Sequence, residues 1–325
     1  IEDVIDEMVD LISEIHPTHI LGVGGTDTVL AAAVSAAQSK TPFIHLESGL
    51  RTYDVSLEEE VRRQRIDRLS SLHFTPSRRA WENLLREGVE ASSVFEVGST
   101  TIDALTHFLP EARRCSTILE EMELERGEYI LLTLHRRENL SPYRLTVLQR
   151  LIETVDEFVV FPLHPDTRKA IYEVGLRDKF YETENLLMTE PMEYLDFLLL
   201  EDGSQAVMTD SGGVCEEATY MGKPLIILRE RTERPEPVEA GWARMFKLDY
   251  GSLQGIKDYL ERGPKERGEN VRFAEGRGDA AEKVADHLST QLEALEPRIQ
   301  VEEPPLYQEL SIYKGSPLSL SLIHI

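Results

Sequence analysis

"VMTDSGGVCEEATYMGKPLIIL", residues 207–228, holds an apolar run, a Ser-Gly-Gly turn, a helix-like segment and a second apolar run after Gly222 and Pro224. Strand, helix and strand in that order make a βαβ unit, whose two strands lie parallel. A helix that starts this way leaves backbone N–H groups for an anion. Ser211 is placed to cap it, and Gly212 and Gly213 let a phosphate approach the backbone closely. As structure alone, the same residues make an ordinary capped helix. Glu216 and Glu217 are expected in the first turn of this helix, where the dipole stabilises acids by roughly 0.3–1 kcal/mol. The functional alternative is that one of them accepts hydrogen bonds from ribose hydroxyls.

Helix and strand patterns alternate on both sides of this stretch, which predicts an α/β fold of parallel sheets flanked by helices. Upstream, a helix over Val4–Ile15 leads to strands at "HILGVGG" and "FIHLES", a helix over Leu57–Leu69, and strands at "LHFTPS" and "VFEVGS". A break is expected over Ala112–Gly127. Beyond it, strands at "YILLTLH", "FVVFPLH", "NLLMTEP", "QAVMTD" and "PLIILR" alternate with helices. The predicted organisation is two doubly wound α/β domains, over 1–111 and 112–290, then an irregular tail over 291–325 whose "SPLSLSLIHI" end reads as a junction artefact.

The chain has 325 residues, and 59 acidic against 35 basic residues give a net charge of −24. Such a surface repels nucleic acid and anionic membranes, so an anionic ligand must be held locally. Two cysteines, Cys115 and Cys215, cannot build a disulfide framework or a zinc site, and no apolar run reaches the roughly 20 residues of a membrane span. These features predict a soluble, cytoplasmic protein without metal. His16 and His19 in "HPTH" are expected to face solvent rather than a metal, and Cys215 to be a small buried residue.

In open parallel sheets ligands bind beyond the carboxyl ends of the strands. Six stretches stand there: "GVGGTDT" (22–28), "HLESGLRTYD" (45–54), "TLHRRENL" (133–140), "FPLHPDTR" (161–168), "TDSGG" (209–213) and "RERTERPEPVEAG" (229–241). His135, Arg136 and Arg137 concentrate positive charge that suits a leaving phosphate. Glu47 follows one strand and Glu58, Glu59 and Glu60 open a helix, where acids serve either as caps or in proton transfer.

The run of "HLESGLRTYD", "LEEEVRRQRID", "LHFTPS", "VGSTTIDAL", "TLHRREN", "FPLHP", "MTEPMEYLDF", "TDSGGVCEEA", "GKPLIILRERTERPEPVEAG" and "GRGDAAEKV" resembles the non-hydrolysing UDP-N-acetylglucosamine 2-epimerases, in order, over nearly all of residues 1–290. The resemblance implies two Rossmann-like domains around a cleft, as in many nucleotide-sugar glycosyltransferases. It implies interconversion of UDP-N-acetylglucosamine and UDP-N-acetylmannosamine without cofactor, by anti elimination of UDP to 2-acetamidoglucal and re-addition. Glu47 and Glu59 match the family's catalytic glutamates, and His135 the histidine near the diphosphate. Phe197 is carried over to the uracil, Ser211, Gly212 and Gly213 to the phosphates, Glu217 to the ribose, and Arg234 to the UDP site. Arg136 and His164 match positions near a second, activating substrate molecule in bacterial members. A homodimer and a role in polysaccharide precursor synthesis are implied as well.

The chain also departs from the pattern. Gly25 stands where the family has a catalytic aspartate, which leaves Asp27, two residues on, as the substitute. Arg62 and Arg68 replace the customary Asn and His. The chain begins in a helical pattern without Met, so the resemblance leads us to expect an N-terminally incomplete member that lacks a first strand and its basic loop, with residues 1–110 poorly stable alone. Rival readings are a UDP-sugar glycosyltransferase or hydrolysing epimerase of the same fold, and a non-catalytic UDP-sugar binding protein.

Overall fold

The computed structural model describes residues 1–264, 277–292 and 295. The first elements are α1 (Glu2–Ile15), β1 (Ile20–Val23), α2 (Asp27–Gln38), β2 (Phe43–Leu46), α3 (Glu58–Leu69), β3 (Leu72–Thr75), α4 (Arg78–Arg86) and β4 (Val94–Glu96). They are followed by α5 (Thr100–Cys115), α6 (Ile118–Glu121), β5 (Tyr129–Thr133), α7 (Pro142–Thr154), β6 (Phe158–Pro162), α8 (Pro165–Glu173), α9 (Arg177–Tyr181), β7 (Leu186–Thr189) and α10 (Tyr194–Gly203). The last are β8 (Ala206–Thr209), α11 (Gly212–Tyr220), β9 (Leu225–Ile227), α12 (Glu236–Glu239), β10 (Ala243–Met245), α13 (Leu253–Arg262) and α14 (Ala280–Gln291).

These elements form two compact units, residues 1–99 with the described residues from Asp279 onward, and residues 100–278. The expected boundaries were 111/112 and 290, and packing accounts for the difference. α5 buries Ile102, Leu105, Leu109 and Ala112 in the apolar cluster of the second unit, beside Leu198 and Val214. At roughly 1.5–3 kcal/mol for each large side chain, that burial outweighs the ~3 kcal/mol an interior proline costs, so the helix runs through Pro110 and on to Cys115, into the break expected from Ala112. α14 returns to the first unit, where Val284 packs with Ile44, Leu46, Leu72, Phe74 and Val97. Apart from residues 291, 292 and 295, the tail expected over 291–325 lies outside the described residues.

In the first unit four parallel strands run in the order β1-β2-β3-β4. β2 and β3 are buried at every position, as strands covered on both faces must be. Each nevertheless carries a histidine, and His45 and His73 are register partners. α2 is capped by Thr26, whose side chain accepts from the Val29 N–H, and its small buried face of Ala31, Ala33, Ala36 and Ala37 packs with Ile5 of α1 in one cluster. His19, expected to face solvent, has both ring nitrogens buried without a hydrogen-bond partner among the described residues. His16 ends α1 in the left-handed region, at φ 51°.

The second unit has a six-stranded parallel sheet in the order β10-β9-β8-β5-β6-β7. The chain winds outward from β5 through β6 to β7, then returns to the other side of β5 with β8. The order therefore reverses between β5 and β8, the place where open parallel sheets hold their ligands. "TLHRREN" follows β5 and "TDSGG" closes β8, so both predicted anion-binding stretches stand at that switch point.

Glu201, on α10, is fully buried, and neither carboxyl oxygen has a hydrogen-bond partner among the described residues. Burial, and next the nearby Glu217 carboxylate, push its carboxyl well above the usual range. An acid raised in the folded state ionises more readily in the unfolded chain, so this residue weakens the fold as pH rises above about 4.3. Glu201→Met, which keeps the volume and removes the orphaned polar atoms, should raise stability at pH 8 by about 1–3 kcal/mol, with a smaller gain at pH 5. Calorimetry at the two pH values checks this, and an unchanged or lower melting point at pH 8 would refute it.

Candidate functional site

Asp210 organises the switch point of the second unit. It is the first residue after β8, is fully buried, and accepts from the backbone N–H groups of His135 at 3.1 Å and Arg136 at 3.0 Å and from the Asn139 side-chain amide at 3.0 Å. Asn139 also donates to the Leu228 carbonyl at 2.8 Å, which joins the turn after β5 to the end of β9. The His135 ring keeps Nδ1 3.3 Å from Asp210 and stands 5.5 Å, centroid to centroid, from His164. His164 caps α8 through Nδ1, and burial, then His135, pulls its imidazole below the ordinary range. The side chain of Ser211 caps α11 by accepting from the Val214 N–H, so the helix begins two residues after Asp210.

Around that N-terminus lies a buried network of charges. Arg234 pairs through Nε with Glu216 and through a terminal nitrogen with Glu233 at 3.1 Å. Glu233 also takes Arg229 at 2.7 Å and Arg136 at 3.6 Å. Glu216 and Glu217 stand beyond the first turn of α11, rather than in it as expected, and Glu216 is the counter-ion that fixes Arg234. The network explains the first glycine: a Cβ on Gly212 would stand 2.6 Å from the Arg234 guanidinium, whereas one on Gly213 would meet only Thr101 at 4.0 Å. A side chain at Gly212 would thus displace the Arg234–Glu233 pair, whereas Gly213 leaves open room.

Glu217 is buried and accepts the Tyr194 hydroxyl at 2.6 Å. Burial pushes its carboxyl up to about 7. Phe197 is 7 % exposed and packs in the apolar cluster of α5, α10 and α11. Cys215 is buried as expected, and burial raises its thiol.

In the first unit, Glu47 is the first residue after β2 and has φ 63°, a backbone conformation that costs a residue with a Cβ about 1–3 kcal/mol and tends to occur at functional sites. Glu59, in the first turn of α3, pairs with Arg63 at 2.5 Å, one helical turn on. Arg63 also fills the space over Gly25, where an added Cβ would stand 2.7 Å from its Cγ. Asp27 opens α2 and pairs with Arg62 at 3.2 Å, and Arg62 also donates to the Gly25 carbonyl at 3.2 Å. The position expected to carry an aspartate is thus backbone covered by an arginine. Glu60, which spacing alone grouped with Glu58 and Glu59, is fully buried and accepts from the Thr52 N–H and hydroxyl and from Gln64.

The structure therefore groups His135, Arg136, His164, Ser211, Gly212 and Arg234 about the switch point of one unit, and Glu47, Glu59 and Asp27 at strand ends and helix starts of the other. Asp210 and Glu233 were missed as organising residues, although both stand inside stretches that follow strands, "TDSGG" and "RERTERPEPVEAG". Among the described residues no group of His, Cys, Asp and Glu is arranged to hold a metal ion, and no helix is long and apolar enough to cross a membrane.

Parallel α/β units, a switch point and a capped helix N-terminus beside basic residues define a protein of the Rossmann-like α/β class. Within that class, the family model described as UDP-N-acetylglucosamine 2-epimerase matches residues 1–289, and the chain belongs to that family. A UDP-N-acetylglucosamine 2-epimerase of Methanocaldococcus jannaschii is 40% identical over 233 residues, covering 69% of this chain and 63% of the relative, so this match spans less than two thirds of that protein. The crystal structure of a Methanocaldococcus jannaschii UDP-GlcNAc 2-epimerase in complex with UDP-GlcNAc and UDP superposes with a TM-score of 0.82 at 34% identity, covering 88% of this chain and 79% of that one. The enzyme from Neisseria meningitidis bound to UDP-GlcNAc gives 0.78 at 32% identity, covering 89% and 80%.

Asp210→Ala would leave two backbone N–H groups and the Asn139 amide without their acceptor. At about 1–3 kcal/mol for each buried unpaired group, the variant should lose about 3 kcal/mol or more of stability. Urea denaturation of the two proteins measures the difference, and a loss below about 1 kcal/mol would show that the turn after β5 does not depend on Asp210.

Proposed function

We propose that the protein interconverts UDP-N-acetylglucosamine and UDP-N-acetylmannosamine. The observation that carries this reading is the match of the epimerase family model over residues 1–289, supported by relatives solved with UDP-GlcNAc. The geometry agrees with the chemistry required. The N-terminus of α11, with Ser211, Gly212 and Gly213, offers backbone N–H groups to a diphosphate, and Arg234, fixed by Glu216 and Glu233, adds positive charge beside Gly212. Glu217 is the proposed acceptor for ribose hydroxyls, where the substrate would compete with Tyr194. Phe197 is the proposed uracil neighbour.

In the proposed reaction a carboxylate removes the C2 proton while the C1–O bond breaks. The electron pair of the C–H bond becomes the C1–C2 double bond of 2-acetamidoglucal, and the electrons of the C1–O bond leave with UDP. Re-addition of UDP at C1 and return of a proton to the other face of C2 complete the epimerisation. Glu47 and Glu59 are assigned the proton transfers, and His135 the developing charge on the departing diphosphate. No cofactor is assigned. The family likeness also supports a homodimer acting in the cytoplasm, and Arg136 and His164 as contacts of a second substrate molecule.

One observation favours a second reading, UDP-sugar binding without turnover: Arg63 covers Gly25, and Asp27 is paired with Arg62. Incubation with UDP-N-acetylglucosamine in deuterated water separates the possibilities. The epimerase must incorporate deuterium at C2 and return intact UDP-N-acetylmannosamine. Free sugar with UDP would point to a hydrolysing enzyme, and binding without exchange to the second reading. For the epimerase, Glu47→Gln should lower kcat about 100- to 10,000-fold while the Kd for UDP changes less than threefold, because removing a proton-transfer group costs that order in rate.

A further inference from the structure

Glu47 holds an unfavourable backbone angle, so the structure around it must keep it there. Asp67, in the last turn of α3 and 1 % exposed, bonds to the residues beside Glu47. Its Oδ1 accepts His45 Nδ1–H at 2.5 Å and the Ser48 hydroxyl, and its Oδ2 accepts the Gly49 N–H at 3.2 Å and the Arg51 guanidinium at 2.6 Å. One carboxylate thus grips residues on both sides of Glu47. The network extends further in three directions. His45 Nε2 meets the Gly24 carbonyl at 3.0 Å, Ser48 Oγ meets His73 Nδ1 at 2.9 Å, and Arg51 forks onto Glu87 with two bonds of 2.7 Å.

Donor and acceptor chemistry fixes the arrangement. A carboxylate and a carbonyl only accept, so both bonds of His45 are made when its ring carries two protons, and the Ser48 proton goes to Asp67 while its oxygen accepts from His73. Burial pushes the Asp67 carboxyl up, but His45, His73 and Arg51 together hold it well below the usual range. A buried ionic network is a weak source of stability, since well-packed apolar residues often serve as well or better. Its distinctive product is geometry.

We infer that Asp67 is the positioning residue for Glu47, locking the turn after β2 and, through His45, the loop after β1. The inference rests on the epimerase reading. A carboxylate displaced by about 1 Å can cost about 100-fold in rate, so loosening this turn reaches the chemistry without touching the substrate. The test uses the full-length protein. Asp67→Asn should lower kcat about 100-fold, with KM for UDP-N-acetylglucosamine and Kd for UDP within twofold, because the UDP contacts are assigned to the other unit. In a Glu47→Gln background the same change should cost less than threefold, since no carboxylate remains to be positioned; an equal loss in both backgrounds overturns the inference. If Asp67→Asn does not fold, Ser48→Ala removes one hydroxyl from the same network and should lower kcat about fivefold at unchanged Kd. Wild-type kcat in either folded variant overturns the inference while the epimerase reading stands. Absence of C2 exchange in the wild-type protein instead defeats that reading.

Discussion

Where a buried parallel strand ends, the turn that follows leaves the hydrogen-bond ladder, and its backbone N–H groups must find acceptors away from water. In each unit one buried aspartate meets this requirement. Asp210 collects the N–H groups of His135 and Arg136, and Asp67 collects that of Gly49 with the side chains of His45, Ser48 and Arg51. Both turns carry residues assigned to the reaction. The same bonds that satisfy the backbone therefore set where the candidate chemistry stands.

The charge distribution follows the same logic. A chain with a net charge of −24 opposes an anionic ligand over its surface, yet three arginines converge beside the N-terminus of α11. They are interlocked with Glu216 and Glu233, so they are held in place before any ligand arrives. Preorganised donors of this kind lose little freedom when charge develops nearby. The two adjacent acids of α11 have separate roles: Glu216 anchors Arg234, while Glu217 lies against Tyr194 and the buried Glu201.

Much of the architecture was legible before any coordinates, because alternation of apolar periods and the Gly and Pro breaks reflect local rules. The strands at "YILLTLH", "FVVFPLH" and "QAVMTD" and the capped helix after Ser211 follow from such rules. α5 was not legible, since a proline and a polar C-terminal half hide a helix whose existence depends on apolar residues far away in sequence. The unit boundaries were lost with it, and the return of α14 to the first unit is likewise a matter of which cluster its apolar side joins.

The site divides in the same manner. Sequence by itself determined the kinds of group available, Glu47, Glu59, His135 and the Ser-Gly-Gly turn, and their places at the ends of strands, because residue type and the order of elements are local properties. It also showed Gly25 where the family has an aspartate. Only the tertiary structure decided that Arg63 lies across Gly25, that Arg234 is tied to Glu216, and that Asp67 grips the turn bearing Glu47. Those pairings join residues 18 to 38 positions apart, and which buried donor meets which acceptor depends on how strands and helices pack, information that no window of the sequence contains.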